Sequence, residues 1–508
     1  MTIDPPVGAV TRSATPESPI ELRYEDGTVR IDGLEEATAR RLRERQPELE
    51  LEDDPRTGGH RVPALRYATL RRALAAAFDS AAIDDRTLSL PSVPDLDSTY
   101  ELREYQHEAL ADWLETDRWT GAGGDFVSDA PQRAPAGVLE LPTGSGKTVI
   151  ALAAIERLDV PTLVVVPTID LQEQWLDELE AEFGASASSA GLGGSDGVAI
   201  GRFGGGEQRR EPITVSTYDS AYRKADAVGD RFGLVVFDEV HHLGGEGYRE
   251  IARLLAAPAR LGLTATFERP DGAHEVVERI VGPLVHRIDA DELAGDHLAS
   301  YDVKRLEVSL TPEEREEYER NQETFTDYLA RSNIQMRSGS DYQELVKRSG
   351  SDPAAREALL ARQRAREIAR GSRAKIDALE SILDRHRDAR TIVFTAHNDL
   401  AYDVSERFLI PTITHRTATP ERREILERFR EGTYSRIATS NVLDEGVDVP
   451  DASVAVVLSG SGSEREFTQR LGRILRPKAD GRRALLYEVV TENTSEERVS
   501  RRRRSGSS

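Results

Sequence analysis

A glycine-rich segment between an apolar run and a helical pattern has the residue types that bind a triphosphate. The apolar run Gly137–Leu141 leads into Pro142-Thr143-Gly144-Ser145-Gly146-Lys147-Thr148, and Val149–Leu158 continues with helical spacing. Glycines let backbone N–H groups close around phosphate oxygens, and the positive end of the helix dipole adds to the attraction. We expect Lys147 to reach the β- and γ-phosphates of ATP and the Thr148 hydroxyl to bind Mg²⁺. A chance glycine-rich loop is the competing interpretation, and the flanking strand and helix argue against it.

Two neighbouring carboxylates follow a second apolar run. Leu234–Phe237 predicts a buried strand, and it ends in Asp238-Glu239-Val240-His241. Beside a phosphate-binding loop, one carboxylate can hold Mg²⁺ while another orients or deprotonates water. We therefore assign Asp238 to Mg²⁺, together with Thr148, and Glu239 to the attacking water.

A third group of polar residues lies far along the chain, in the helical pattern Gln469–Arg476. Gln469, Arg473 and Arg476 stand at positions i, i+4 and i+7, so they share one helix face. A guanidinium can fork onto phosphate oxygens and stabilise transition-state charge, as arginine fingers do. Alone, the segment is more typical of a basic surface stripe. Paired with a P-loop on a different sheet, it predicts a phosphate sensor across a cleft.

The elements that must position these residues predict an α/β fold with two parallel sheets. Short apolar strands alternate with helices in two stretches of the chain, which is typical of sheets covered on both faces. A hairpin signal, Asp26-Gly27, marks a small α/β domain before them. Between the two stretches Thr311-Pro312-Glu313 starts a helical segment, and no strand is expected there before Thr391. The Gly-rich stretches Thr120–Ala136 and Ala185–Gly206 predict loops.

The predicted organisation therefore has six parts. In chain order they are a disordered tail (1–19), a small α/β domain (20–96), an ATP-binding domain (97–290), a helical insert (300–371), a second α/β domain (372–492) and a basic disordered tail (493–508). The arginines of the last tail are typical of a solvated segment, and a nucleic-acid contact is the alternative.

Composition restricts the class of protein. The chain has 508 residues, no cysteine, a formal net charge of −23, and only six lysines. Without cysteine there are no disulfides and no thiolate metal sites. No apolar run is long enough to span a membrane, and no signal peptide is predicted, so we expect a cytoplasmic protein. The acidic excess favours a halophilic source, since high salt screens self-repulsion; an ordinary acidic protein is the alternative.

In this order the motifs resemble those of superfamily 2 helicases, which have two RecA-like domains. Leu102–Gln106 resembles an adenine-recognising Q motif, which implies that Arg103 and Gln106 lie near adenine. Residues 438–450 resemble motif V, which implies nucleotide contacts at Gly446 and Asp448. The resemblance also implies that loop N–H and hydroxyl groups, such as those of Thr168, Thr217 and Thr439, contact the backbone of the nucleic acid. Asp-Glu-Val-His argues against the DEAD-box RNA helicases.

The closer resemblance is to the XPB family, and it extends from about residue 20 over nearly the whole chain. It implies a damage-recognition-like N-terminal domain, a thumb-like helical insert, 3′→5′ polarity on DNA at single-stranded/duplex junctions, and a role in nucleotide-excision repair or transcription. It further implies a structure-specific nuclease partner; we expect a monomer. Arg269-Pro270-Asp271 departs from the family's Arg-Glu-Asp motif, because proline replaces a carboxylate and fixes φ.

Basic residues of the insert are candidates for holding DNA against the overall negative charge. A solvated helix face that balances nearby glutamates is the alternative. The candidates are Arg331, Arg337, Lys347, Arg348, Arg362, Arg364, Arg366 and Arg370.

Four functions fit some part of these patterns. They are a DNA helicase, a duplex DNA translocase that does not separate strands, a non-hydrolysing scaffold, and an unrelated P-loop kinase. Intact Lys147, Asp238, Glu239 and Arg473 argue against the scaffold, and the second sheet with its arginine helix argues against the kinase.

Overall fold

Three β-sheets organise the computed structural model of this chain. The model describes residues 19–78, 82–116, 134–142, 144–184, 197–204, 206–245, 247–268, 272–288, 301–332, 334, 336, 339–440, 452–459, 484–494 and 496–497. The chain folds as two units, Met1–Leu293 and Ala294–Ser508. The first two sheets belong to the first unit and the third sheet to the second unit.

The small N-terminal domain is a mixed sheet covered by two helices. Its strands are β1 (Ile20–Glu25), β2 (Thr28–Asp32), β3 (Glu52–Asp54), β4 (Gly59–Pro63) and β5 (Ile83–Arg86), in the order β3-β4-β2-β1-β5, and its helices are α1 (Glu36–Arg45) and α2 (Tyr67–Ala77). Asp26 and Gly27 join β1 to β2 with φ of 47° and 81°, as a two-residue type I′ hairpin requires. The predicted hairpin is confirmed.

This domain is packed against the ATP-binding domain rather than tethered to it. The Tyr24 hydroxyl lies 2.8 Å from the carbonyl oxygen of Asp226 and 2.9 Å from that of Leu254. Burial raises the pKa of Tyr24, which keeps the hydroxyl protonated as a donor. Leu65 joins the core of the ATP-binding domain, and Ala256 joins the core of the N-terminal domain. The two domains therefore share one packed boundary.

The ATP-binding domain is built on a sheet whose strands run β13-β6-β12-β11-β7-β10-β8-β9. All pairs are parallel except the short antiparallel pair at the β9 edge. The strands are β6 (Ala136–Glu140), β7 (Thr162–Val166), β8 (Ile200–Gly204), β9 (Glu207–Gln208), β10 (Ile213–Thr217), β11 (Leu234–Asp238), β12 (Ala259–Thr264) and β13 (Leu284–Arg287). The helices are α3 (Glu104–Glu115), α4 (Lys147–Leu158), α5 (Ile169–Glu182), α6 (Tyr218–Lys224), α7 (Arg249–Leu254) and α8 (His274–Ile280). The central strands are buried along their whole length, which explains their continuous apolar sequences.

The second unit contains a fully parallel sheet and a helical insert. The sheet order is β14-β19-β18-β15-β17-β16. Its strands are β14 (Tyr301–Val308), β15 (Thr391–Phe394), β16 (Thr412–Ile413), β17 (Arg436–Thr439), β18 (Val454–Val457) and β19 (Ala484–Thr491). The insert comprises α9 (Pro312–Ser332), α10 (Gly339–Ser349) and α11 (Pro353–Arg370), and the sheet domain adds α12 (Arg373–Arg385), α13 (Asn398–Phe408) and α14 (Thr419–Arg430). The predicted α/β fold, with two RecA-like parallel-sheet domains, a small N-terminal α/β domain and a helical thumb-like insert, is confirmed.

Two sequence predictions about this architecture were wrong. The insert does not begin at residue 300, because Tyr301–Val308 is a strand that pairs with β19 along eight residues. Likewise, the predicted loop Ala185–Gly206 contains β8. The edge strand β14 carries Asp302, Lys304 and Glu307 and is largely exposed, so it lacks the apolar run of a central strand.

Two expectations concern other regions. The predicted loop Thr120–Ala136 lies almost entirely outside the described residues. Within the described ranges, no helix combines the length and the apolar composition that crossing a bilayer requires.

Candidate functional site

The phosphate-binding loop and the acidic pair lie at the same edge of the first RecA-like sheet. The strand β12 separates β6 from β11, and all three are parallel. Asp238 at the end of β11 is in register with Leu263, and Glu140 at the end of β6 is in register with Thr264. Carboxyl ends of neighbouring parallel strands form the ligand-binding edge of open α/β sheets. The loop after β6 and the acids after β11 are thus brought together, as predicted.

The P-loop has the backbone conformation that its glycines make possible. Gly144 and Gly146 have φ of 82° and 78°, values that residues with a Cβ rarely adopt. Lys147 is buried, and its ammonium donates to the carbonyl oxygens of Leu141 at 3.1 Å and Pro142 at 3.3 Å. Thr148 follows in the first turn of α4. Both predicted side chains therefore lie where the loop meets the helix.

The side chain of Gln106 holds the P-loop in place through hydrogen bonds. Its side-chain nitrogen donates to the Ser145 carbonyl oxygen at 2.9 Å, while its side-chain oxygen accepts from the Arg103 backbone N–H at 2.9 Å. The Tyr105 hydroxyl donates to the same Ser145 oxygen at 2.7 Å. Gly146 is necessary here, since an added Cβ would stand 2.5 Å from the Gln106 nitrogen. Both ends of the Gln106 amide thus contact protein, and the adenine contact of Gln106 and Arg103 stays a prediction.

Three hydrogen bonds fix Asp238. The Trp175 indole Nε1–H donates to Oδ2 at 2.9 Å, and the Glu239 backbone N–H donates to Oδ1 at 3.0 Å. The Tyr218 hydroxyl donates to the Asp238 backbone oxygen at 3.0 Å. Burial, and then the charges of Asp238 and Glu239, raise the pKa of Tyr218 well above its usual range, so this donor stays protonated. A carboxylate oxygen can accept at more than one lone pair, so these bonds are compatible with a metal ligand role.

Glu239 and His241 link this centre to the end of β12. Glu239 has a left-handed backbone with φ of 49°, an uncommon conformation for a residue with a side chain. The His241 Nδ1 lies 3.2 Å from the Thr264 hydroxyl and 3.5 Å from a Glu239 carboxylate oxygen. The His241 ring also stacks on His242 at 4.6 Å. Contact between the acidic pair and the Leu263–Thr266 segment therefore occurs within one domain.

Glu140 ties the same segment to the strand before the P-loop. This carboxylate is buried and accepts from the Phe267 backbone N–H at 3.2 Å and from Arg287 Nε at 2.5 Å. Arg287 also donates to Glu268 at 3.1 Å. These bonds anchor the residues just before Arg269-Pro270-Asp271, a segment that itself lies outside the described residues.

The described residues fit a bound ATP–Mg²⁺. The Ser145 hydroxyl is buried without a hydrogen-bond partner in the described part of the chain, and buried polar groups normally have one. The neighbouring donors are backbone N–H groups and an ammonium, which suit phosphate, and Asp238 and Thr148 supply oxygen ligands, which suit Mg²⁺. Other predicted site residues lie outside the described residues: Thr143, Gly446, Asp448, Gln469, Arg473 and Arg476.

A basic groove lies in the second unit, between the insert and the sheet domain. Arg362, Arg366 and Arg370 recur every four residues on α11 and line a cavity of about 770 Å³. His397 and Arg416 line it too, as do the acids Glu367, Asp399 and Asp403. We call this cavity the arginine groove and the first three residues the groove arginines.

Burial and the charge of Arg366 destabilise the charged forms of Arg362 and Arg370. Arg362 packs over the rings of Phe325 and Tyr342, at 5.3 and 4.8 Å, and its Nη1 is buried without a hydrogen-bond partner among the described residues. Burial, and then the charge of Arg366, lower the pKa of Arg362 and of Arg370. The groove therefore combines half-buried positive charge with unused donor capacity.

Arg370 also determines the protonation state of His397. Its Nη1 lies 2.5 Å from His397 Nε2. Because a guanidinium only donates, Nε2 must accept, and the imidazole is neutral. Burial, and then the charge of Arg370, lower the pKa of His397, which agrees with this assignment.

The other predicted basic candidates lie elsewhere. Arg331 pairs with Asp327 at 3.7 Å and Arg348 with Glu344 at 2.9 Å. Lys347 and Arg364 are exposed and do not line the groove, and Arg337 lies outside the described residues. Thr439 is fully buried and donates its hydroxyl to the Ser440 oxygen, and its contact with nucleic acid stays a prediction.

Trp175 and Tyr105 are site residues that the sequence analysis missed. Neither has chemistry that points to a phosphate or metal site, and both lie on helices with ordinary apolar spacing. Tyr105 stands beside Gln106, which was the available signal. Trp175 had only its position on the helix that follows Pro167-Thr168.

Comparison with known proteins finds helicase families that match most of the chain. The protein-family model for the xeroderma pigmentosum group B helicase damage recognition domain matches residues 22–86. The type III restriction enzyme res subunit model matches residues 99–269, and the ERCC3/RAD25/XPB C-terminal helicase model matches residues 362–505. The helicase domain of Pyrococcus furiosus Hef aligns with a TM-score of 0.50 at 20% identity, over 79% of this chain and 98% of that one, which supports the fold alone.

Relatives extend over most of the chain. The DNA 3′-5′ translocase XPB2 of Sulfurisphaera tokodaii is 45% identical, over 82% of this chain and 87% of its own length. Rad25 of Halobacterium salinarum is 33% identical and the DNA 3′-5′ helicase XPB of Mycobacterium tuberculosis is 31% identical; this chain spans 59% and 61% of those proteins. Taken with the domain matches and the P-loop and acidic pair at one sheet edge, this likeness shows that the chain belongs to the XPB family.

Proposed function

We propose that this protein is an ATP-dependent motor that moves on DNA with 3′→5′ polarity and opens it, as a helicase. The observation that carries the proposal is the placement of Lys147 and of the Asp238–Glu239 pair at one edge of the first RecA-like sheet. The names of the Sulfurisphaera and Mycobacterium relatives, a DNA translocase and a DNA helicase, support DNA as the substrate and 3′→5′ as the polarity.

Within the ATP site, the chain's own residues have separate tasks. Lys147 binds the β- and γ-phosphates, exchanging its present backbone acceptors for phosphate oxygens. Thr148 and Asp238 would hold Mg²⁺, and the ion would supply positive charge beside the phosphates. Glu239 orients the attacking water and accepts its proton. Gln106 and Tyr105 keep the loop in the conformation that binds phosphate.

Gln469, Arg473 and Arg476 are proposed to complete the site from the second RecA-like domain, with Gly446 and Asp448. An arginine that meets the γ-phosphate only when the domains close makes hydrolysis depend on domain closure. Closure with ATP and opening after hydrolysis would then move the DNA contacts of the two domains relative to each other.

The arginine groove is proposed as one of the DNA contacts. Half-buried guanidinium groups with unused donors are suited to phosphate oxygens, and a phosphate would relieve the repulsion between neighbouring arginines. Such contacts position the backbone and carry no sequence information, as a motor requires. Four arginines and three carboxylates line the groove, which leaves it net positive in a chain of net charge −23, and this supports the role in DNA contact over that of a solvated helix face.

A DNA translocase that does not separate strands is the second candidate, favoured by the printed name of the Sulfurisphaera relative. We further propose a role in nucleotide-excision repair, a cytoplasmic location, a monomeric state and a structure-specific nuclease as partner. These finer proposals rest on the resemblance to the XPB family.

The proposed function is tested by ATP hydrolysis on a panel of DNA. Single-stranded, duplex, forked and bubble DNA are compared with RNA, from about 0.1 M to molar KCl, because the Debye length falls from about 10 Å to about 3 Å over this range. Strand-displacement and triplex-displacement assays then separate a helicase from a translocase. Hydrolysis that no DNA stimulates at any salt concentration would overturn the proposal.

A further inference from the structure

The Trp175 indole is directed at the carboxylate that the ATP site assigns to Mg²⁺. The side chain is 1% exposed, and its Nε1–H donates to Asp238 Oδ2 at 2.9 Å. An indole has one donor and no acceptor, and a ring fixed in a core offers that donor in a single direction. With the Glu239 backbone N–H on Oδ1, both carboxylate oxygens are oriented by fixed donors.

Trp113 shows how the same protein satisfies a buried indole that is far from the acids. It is fully buried, and its Nε1–H donates to the backbone oxygen of Arg260 at 3.0 Å. Buried tryptophans usually find such a partner. Trp175 instead uses one of the few carboxylates buried in the domain, and bonds to a charged acceptor are about twice as strong as neutral ones.

We propose that Trp175 is a positioning residue for Asp238, which it holds in the rotamer that presents the carboxylate to Mg²⁺. The inference rests on the proposed function, since that function assigns Asp238 to the metal. Outer partners that orient a metal-binding group typically contribute 10–100-fold to metal affinity. Without the indole N–H, Asp238 would lose the donor that orients its Oδ2.

The test compares Trp175→Phe with Trp113→Phe, a matched control. Each change removes one buried indole N–H and leaves a similar void. Binding of a fluorescent non-hydrolysable ATP analogue is measured against Mg²⁺ concentration. We expect the Mg²⁺ midpoint to rise about 10–100-fold in Trp175→Phe, and to stay at the wild-type value in Trp113→Phe. Equal midpoints in the two variants would overturn the proposal.

A second measurement uses the unaltered side chain, in case Trp175→Phe does not fold. The chain has three tryptophans, so a ¹⁵N-indole NMR spectrum has three Nε1–H signals, which Trp113→Phe and Trp119→Phe assign. Adding Mg²⁺ to the nucleotide-bound protein should shift the Trp175 signal and leave that of Trp113 in place. A Trp175 signal that does not respond would contradict the role.

These results separate the inference from the function on which it rests. A wild-type protein without Mg²⁺-dependent, DNA-stimulated hydrolysis would refute the proposed function. A wild-type protein with that activity, but with equal Mg²⁺ midpoints in the two variants, would refute only the role of Trp175.

Discussion

Replacing Gln106 by alanine should weaken nucleotide binding by loosening the P-loop. The change removes the bond to the Ser145 oxygen and leaves the Arg103 backbone N–H without its side-chain acceptor. A neutral hydrogen bond contributes about 0.5–1.5 kcal/mol, and a buried group left unsatisfied costs about 1–3 kcal/mol. Because Tyr105 still holds Ser145 and Arg103 is exposed to water, we expect a loss of about 1–2 kcal/mol. This corresponds to roughly 5–30-fold weaker binding.

The assay is titration with a fluorescent ATP analogue at saturating Mg²⁺, together with thermal unfolding. Asn321→Ala is the control, because Asn321 is also a buried amide that donates to a backbone oxygen, that of Glu317 at 2.8 Å. It lies in the insert, so it should lower the melting temperature and leave nucleotide affinity at the wild-type value. If Gln106→Ala lowered only the melting temperature, as the control is expected to do, the hydrogen bonds of Gln106 would have no role in binding nucleotide.

The remaining predictions concern turnover and DNA binding. Lys147→Ala should abolish DNA-stimulated hydrolysis, whereas Glu239→Gln should bind the ATP analogue and lose turnover; near-wild-type turnover in either variant would contradict the assignment. Changing the three groove arginines to alanine should lower the slope of log affinity against log salt by about 2–3, since each lost phosphate contact accounts for roughly 0.7–0.9; an unchanged slope would remove the groove from the DNA path. His397 is neutral in the free groove because burial, and then Arg370, lower its pKa, and a bound phosphate would raise that pKa. DNA binding should therefore take up a proton and weaken as pH rises from about 6 to 8, near the usual histidine pKa; His397→Asn should lose this pH dependence, and an equal dependence in both proteins would exclude His397 as its source.

The residues of the ATP site could be predicted from the sequence because they belong to motifs of residues that are close together in the chain. The P-loop needs glycines at fixed spacing before a helix, and Asp238 and Glu239 follow an apolar strand directly. The parallel strands β6 and β11 were both predicted to within one residue at each end, because burial on both faces requires apolar residues throughout.

The features that were missed depend on contacts between distant residues. Trp175 on α5 meets Asp238 at the end of β11 only through the tertiary fold, and its sequence neighbours give no sign of this. The edge strand β14 has a partner on one side only, so its exposed positions accept charge and hide the strand pattern. For the same reason, the pairing of β14 with β19 over eight residues could not be predicted from the sequence of either strand.

The arginine groove was partly predictable. Periodicity places Arg362, Arg366 and Arg370 on one face of α11, whereas composition alone had also suggested Arg364 and several paired arginines. The distinction required the packing of Phe325 and Tyr342 around Arg362 and the position of His397 at the start of α13.

The boundary between the N-terminal domain and the ATP-binding domain has a consequence for engineering this motor. Leu65 completes one core and Ala256 the other, and the Tyr24 hydroxyl lies within hydrogen-bond distance of two carbonyl oxygens across the boundary. A shortened enzyme that lacks the first 86 residues would expose apolar surface and leave polar groups without partners. The two domains belong to one compact unit, so exchanging N-terminal domains among relatives would require matching the residues that meet Tyr24 and the N-terminal core, which are Asp226, Leu254 and Ala256.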